Sequence, residues 1–225
     1  MKLLAIDTVT EGCSAALLYN DEIHERYELT PRGHSQKILP MVDALLSQAD
    51  LKLAQLDAIV MDRGPGSFTG VRIGVSVVQG LAFAMDLPVI SISSLAALAQ
   101  AAYRQRGSEN VLSVIDARMG EVYWGHYQLD NGRMCLQAAE AVSPVAGIKQ
   151  LPGDWLAVGS GCQTYTDELA AIAGVHCEDC EASYPHAAFL LELACFDWEA
   201  QNLLSAEQVQ PVYLRDKVAK KPKQK

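Results

Sequence analysis

The chain opens K-L-L-A-I-D over residues 2–7 and returns to the same pattern, V-L-S-V-I-D, over residues 111–116. Each is a short apolar run closed by an aspartate, Asp7 or Asp116, which reads as a buried strand ending at a turn. The sequence after each run is also alike. A turn over 8–12 leads to strands over 13–19 and 22–29, joined by Asn20-Asp21. In the second half a turn through 118–120 leads to a strand over 121–129, then Asp130-Asn131-Gly132 and a further strand from Arg133. Both halves therefore start with three antiparallel strands.

Helical periodicity follows over 35–49, then a strand at Ala58, a glycine-rich loop with an apolar helix, a strand over 89–92 and a helix over 94–105. The second half continues with a strand over 156–158, the turn Gly159-Ser160-Gly161, and helices near 164–173 and 186–202. A duplicated βββαβα unit with an aspartate ending each first strand resembles the actin, sugar-kinase and Hsp70 ATPase fold. The expectation is an α/β protein of two actin-like lobes, the second reduced, with lobes at 1–106 and 107–216 and a basic tail over 217–225.

Residues 64–74 read G-P-G-S-F-T-G-V-R-I-G, with four glycines in eleven residues at a strand-to-helix junction. Such a loop lets the backbone turn tightly or approach a ligand closely. It is not a P-loop, because Gly70 is followed by Val71 and Arg72 rather than by lysine and a hydroxyl residue. The dinucleotide fingerprint also fails, since Thr69 stands where its third glycine belongs. A nucleophile elbow would put Phe68 in the serine position. Two readings remain for Gly64, Pro65, Gly66, Ser67, Phe68, Thr69 and Gly70: an anion site, or a tight turn with Ser67 or Thr69 capping the helix.

The net charge is −9, from 27 acidic and 18 basic side chains, which disfavours a surface that grips a polyanion unaided. The apolar start is cut short by Asp7, too soon for a signal peptide, and no apolar run suggests a membrane span. A cytoplasmic protein with reduced thiols is expected. Six cysteines, at 13, 135, 162, 177, 180 and 195, lack the spacing of a disulfide framework. Only Cys177 and Cys180 form C-x-x-C, with His176 and His186 nearby, and without a second ligand pair no metal is expected.

Seven strings, in order along nearly the whole chain, resemble the TsaB family of tRNA threonylcarbamoyladenosine biosynthesis proteins. They are L-A-I-D-T from Leu4, R-G-H-S from Arg32 with I-L-P from Ile38, D-A-I-V from Asp57, the glycine stretch, S-S-L-A-A-L-A from Ser93, D-A-R-M-G-E-V-Y from Asp116 and P-V-Y-L-R from Pro211. The resemblance implies a non-catalytic partner of TsaD, the enzyme that transfers a threonylcarbamoyl group to N6 of the adenosine beside the anticodon in tRNAs reading codons that begin with A, with TsaE as a third member. It implies a TsaD heterodimer, contact with tRNA only through the complex, and no cofactor. TsaD chains carry two metal-binding histidines at the place occupied here by Ser94 and Leu98, neither of which is an imidazole.

The helices over 35–49 and after the glycine loop read either as two core helices of one lobe or as a helical interface shared with the partner, whose contact residues are then Ile38, Met41, Val42, Leu45, Val71, Arg72, Val75 and Gln79. The second helix has hardly any polar stripe, so it needs cover on most sides, and a homodimer is expected when the partner is missing. His34 reads as a cap or packing residue. The competing class is an autonomous ATP-dependent kinase or ATPase, or a glycoprotease-like hydrolase; Pro65, which lacks an N–H, and the slight turn at Gly159 argue against nucleotide turnover. A third reading, a stand-alone tRNA binder, is opposed by the net charge, and the lysines of the tail read as a solvated basic end.

Overall fold

The computed structural model describes residues 1–177 and 183–215. The first half contains β1 (Leu3–Asp7), β2 (Gly12–Tyr19), β3 (Glu22–Leu29), α1 (His34–Gln48), β4 (Ala58–Asp62), α2 (Phe68–Met85), β5 (Val89–Ile92) and α3 (Ser94–Arg106). The second contains β6 (Asn110–Asp116), β7 (Val122–Asp130), β8 (Arg133–Leu136), β9 (Ala141–Ser143), β10 (Trp155–Val158), α4 (Ser160–Thr164), α5 (Thr166–Ala170), β11 (Val175–Cys177) and α6 (Ala187–Glu199).

The two sheets repeat one plan. The first runs β3-β2-β1-β4-β5 and the second β8-β7-β6-β10-β11, antiparallel within each opening triplet and parallel beyond it. This is the actin-like fold that the duplicated strands predicted. The second copy departs from the first in three places. Its third strand is split, with β8 pairing one end of β7 and β9 the other. A single turn, Val145–Gly147, stands where the first half has α1. The helix expected near 164–173 is instead two five-residue pieces, α4 and α5, broken at Tyr165. The turn at Gly159 opens α4 and needs glycine, because its φ is +109° and a Cβ would lie 2.3 Å from the Val114 carbonyl oxygen.

Apolar residues on both faces of each sheet create layers on both sides. Helices α1 and α2 cover one face of the first sheet and α6 the other, through Leu190, Leu191, Leu193 and Ala194. On the second sheet, α3 packs Leu95, Leu98, Ala99 and Ala102 against Val111, Ile115 and Tyr127. The helix that ends each half therefore lies on the other half's sheet, and α3 and α6 touch in the middle layer. Glu140 ties the halves further: it accepts hydrogen bonds from the hydroxyls of Ser93 and Tyr127, and its second oxygen lies 3.9 Å from Arg63.

Within α2 the glycines have different duties. A Cβ on Gly80 would meet nothing within 4 Å. Gly80→Ala should thus raise the stability of the isolated chain by about 1 kcal/mol through helix propensity, moving the thermal midpoint up by about 2–4 °C. An unchanged or lower midpoint in a melting experiment would show that this helix face is not open.

Candidate functional site

The glycine loop leaves β4 at Asp62 and turns through Gly64, whose φ of +87° belongs to glycine. Ser67 caps α2, its hydroxyl oxygen accepting from the Gly70 N–H at 3.4 Å, so of the two capping candidates Ser67 opens the helix, which begins at Phe68. The loop is pressed onto the turn after β1. A Cβ on Gly66 would lie 2.3 Å from the Val9 carbonyl oxygen, and one on Gly70 2.1 Å from that of Thr8. The Ser67 N–H donates to the Val9 carbonyl at 2.7 Å, and the Thr8 hydroxyl donates to the Gly70 carbonyl at 2.8 Å. Between the two readings of this loop, geometry selects the tight turn: its glycines admit the chain's own backbone. Gly64, Pro65 and Gly70 are buried, Gly66 is half-buried, and Ser67, Phe68 and Thr69 are exposed.

The two helices place the expected contact residues on both sides. Ile38, Val42, Leu45, Val71 and Val75 pack into the core with Leu4, Ile6, Leu17, Ile59 and Met61. In the free chain those five side chains are buried against their own sheet and present little surface. Met41 is half-buried, Gln79 donates to the Val209 carbonyl at 3.0 Å, and Arg72 is exposed. The outer face of α2 carries Thr69, Arg72, Ser76, Gly80 and Phe83, with Ile73 and Val77 half-exposed beside them. Phe83 is 73% exposed, Phe68 48% and Leu39, on α1, 47%. An open groove of about 460 Å³ runs from Ser35 along Phe68, Ile73, Ser76 and Val77.

Helix α2 meets the length and composition of a membrane span without being placed as one. Its 18 residues have a mean hydropathy of 1.4, long and apolar enough by composition, with a third of them buried. Its inner face is locked to β4 and to the turn after β1, which makes it a core helix with an apolar outer side.

Between the lobes lies a cleft of about 670 Å³. The Arg72 guanidinium sits 3.6 Å from the Phe68 ring centroid and donates through Nε to the Tyr213 hydroxyl at 2.9 Å. Arg118 pairs with Glu11 at 2.8 Å and with Asp116 at 3.1 Å. Arg215 donates to the Ala117 carbonyl at 3.0 Å and pairs with Glu121, while the Val212 N–H donates to the Arg63 carbonyl at 2.9 Å. The segment P-V-Y-L-R thus straps one lobe to the other across the cleft, and each of these arginines already has a partner.

Asp7 and Asp116 end equivalent strands in unlike surroundings. Asp116 is neutralised by Arg118, whereas Asp7 is fully buried beside Asp62. Sequence reading missed Asp62; its signal is a charged residue closing an apolar parallel strand, as Asp7 closes its own. Ser94 donates its hydroxyl to Asp62 Oδ1 at 2.6 Å, and Leu98 is core. His34 is buried at the first position of α1, with Gly33 as the cap, so it packs rather than caps. Among the described residues no three His, Cys, Asp or Glu side chains are grouped to hold a metal ion. Cys177 is described, but Cys180 and the lysine-rich tail lie outside the described residues.

The family model described as TsaD, tRNA N6-adenosine threonylcarbamoyltransferase, matches residues 14–222. The tRNA threonylcarbamoyladenosine biosynthesis protein TsaB of Escherichia coli K12 is 44% identical, over 97% of this chain and 96% of its own length. The chain belongs to the TsaB family. The TsaB protein of Haemophilus influenzae is 41% identical, over 97% of this chain and 95% of its own. The solved structure of YeaZ from Pseudomonas aeruginosa is 47% identical with a TM-score of 0.87, over 95% of this chain and 99% of that one. A TsaB-family chain thus carries a TsaD-type domain whose position 94, within the S-S-L-A-A-L-A string, is a serine bonded to a buried aspartate.

Proposed function

We propose that this chain works in tRNA threonylcarbamoyladenosine biosynthesis as a non-catalytic partner of a TsaD-type transferase, together with TsaE. The observation that carries the reading is α2: a helix of mean hydropathy 1.4 with only a third of its residues buried, and an outer side open along Ile73, Val77 and Phe83. Ser76 and Gly80 stand one turn apart in the middle of that side, small enough for a second helix to approach closely, with Phe68 and Phe83 at its ends. In the cytoplasm this face meets the transferase, and without the transferase it meets a second copy of the chain. Contact with tRNA runs through the complex, in keeping with the net charge of −9.

The filled glycine loop and the paired cleft arginines support a partner role over a kinase or hydrolase role, since neither offers a free group to a reacting substrate. The test is reconstitution with purified transferase, TsaE and tRNA, with and without this chain. Modification is expected only when it is present, and the chain alone should neither modify tRNA nor turn over ATP. Undiminished modification in its absence, or ATP hydrolysis by the pure chain, would refute the reading.

A further inference from the structure

Strands β1 and β4 are parallel neighbours with Ile6 opposite Met61, which brings Asp7 and Asp62 side by side at the strand ends. Both carboxyls are buried. Their Oδ1 atoms are used by loops. Asp7 Oδ1 accepts the Val9 N–H at 2.9 Å; Asp62 Oδ1 accepts the Gly64 N–H at 2.8 Å and the Ser94 hydroxyl at 2.6 Å. Neither Oδ2 has a donor among the described residues. Two adjacent buried carboxylates, each with an unserved oxygen, would repel at great cost in so dry a place. One proton between them removes the repulsion and gives both Oδ2 atoms a partner.

We propose that Asp7 and Asp62 share one proton, carried by Asp7 and donated to Asp62, and that this acid–carboxylate pair fastens the turn after β1 to the glycine loop and comes apart as the pH rises. The assignment of the proton follows from the donors. Asp62 receives two hydrogen bonds suited to an anion and Asp7 one. The surrounding groups agree with it. Burial raises Asp7 well above the carboxylate range, helped by the charges of Asp62 and of Glu25 on β3; burial raises Asp62 as well, opposed by its hydrogen bonds and by Arg63. Glu25 is itself held by His186, beside α6, at 3.0 Å. From β2, Cys13 is pushed by burial to about 11, and from β3, Tyr27 to about 12, so both stay neutral while the pair titrates. From α3 the neighbour is Ser94, and from α2 the backbone of Gly70 reaches Thr8.

A carboxyl whose folded pKa lies above its unfolded value stabilises fully below the unfolded pKa, and that contribution is lost as the pH rises through the folded one. Asp7→Asn is the test, because the amide keeps an acceptor for Val9 and a permanent donor for Asp62. Urea unfolding of the full chain and the variant between about pH 5 and 8 should show the wild-type folding constant falling about tenfold per pH unit relative to the variant, then levelling above the pair's pKa. A wild-type to variant ratio that stays constant over that range would overturn the proposal. Should the variant fail to fold, the infrared spectrum of the native wild type at neutral pH decides: a protonated-carboxyl carbonyl band that disappears on unfolding is expected, and its absence overturns the pair.

Discussion

Val75→Glu is expected to leave little folded protein, whereas Ser76→Glu, the next residue on the same helix, is expected to fold normally and lose its partner. Val75 packs into the core cluster with Val71, Val78, Ile59 and Met61. A glutamate there forfeits the burial of the valine and must hide a charge or a proton, at about 3–5 kcal/mol or more. That is a large share of the roughly 5–15 kcal/mol by which a domain is stable. Ser76 faces outward in the groove beside Ile73 and Val77, so its replacement changes the free chain by about 0.5 kcal/mol or less. In a helix-on-helix contact the same carboxylate is desolvated without a mate, which should weaken binding to the transferase about a hundredfold or more. Circular dichroism separates the two variants, and titration calorimetry with the transferase reads the second effect. Wild-type affinity in folded Ser76→Glu would remove α2 from the interface.

Gly70→Ala should be strongly destabilising. Alanine is normally the better helix residue by about 1 kcal/mol. Here its Cβ would stand 2.1 Å from the Thr8 carbonyl oxygen and 3.3 Å from the Val9 Cα, both backbone atoms that a rotamer change cannot move aside. The first turn of α2 must then lift off the strand end, stretching the Thr8 hydroxyl bond to the Gly70 carbonyl and the Ser67 N–H bond to Val9. The expected cost is about 3 kcal/mol or more, seen as a lower urea midpoint. Gly80→Ala, ten residues along the same helix, carries the opposite sign because its Cβ points into open space. Equal effects from the two substitutions would mean that the loop is not seated as described.

Much of this was legible in the residues. The paired strand triplets, the aspartates ending β1 and β6, the capping serine and the alignment of seven strings with one family all depend on short-range chemistry, and all appear in the structure or the comparisons. The inner side of α2 was not legible. Thr69, Arg72 and Ser76 form only a narrow polar stripe on an otherwise apolar helix, and the side that packs inward was fixed by Gly70 and Gly74 lying against Thr8. Nor was Asp62 legible as a mate for Asp7, since the pairing of β1 with β4 passes over two strands and a helix.

The sequence by itself determined the opening strand triplets, their duplication and the family, because strand alternation, turn residues and caps act between neighbours along the chain. Tertiary structure alone decided that α3 and α6 exchange sheets, that the glycine loop is filled by the chain's own turn, and that two carboxyls meet in the dark between β1 and β4. Those outcomes depend on strand order and on the rotation of helices about their axes, and both are settled by packing between residues far apart in the chain.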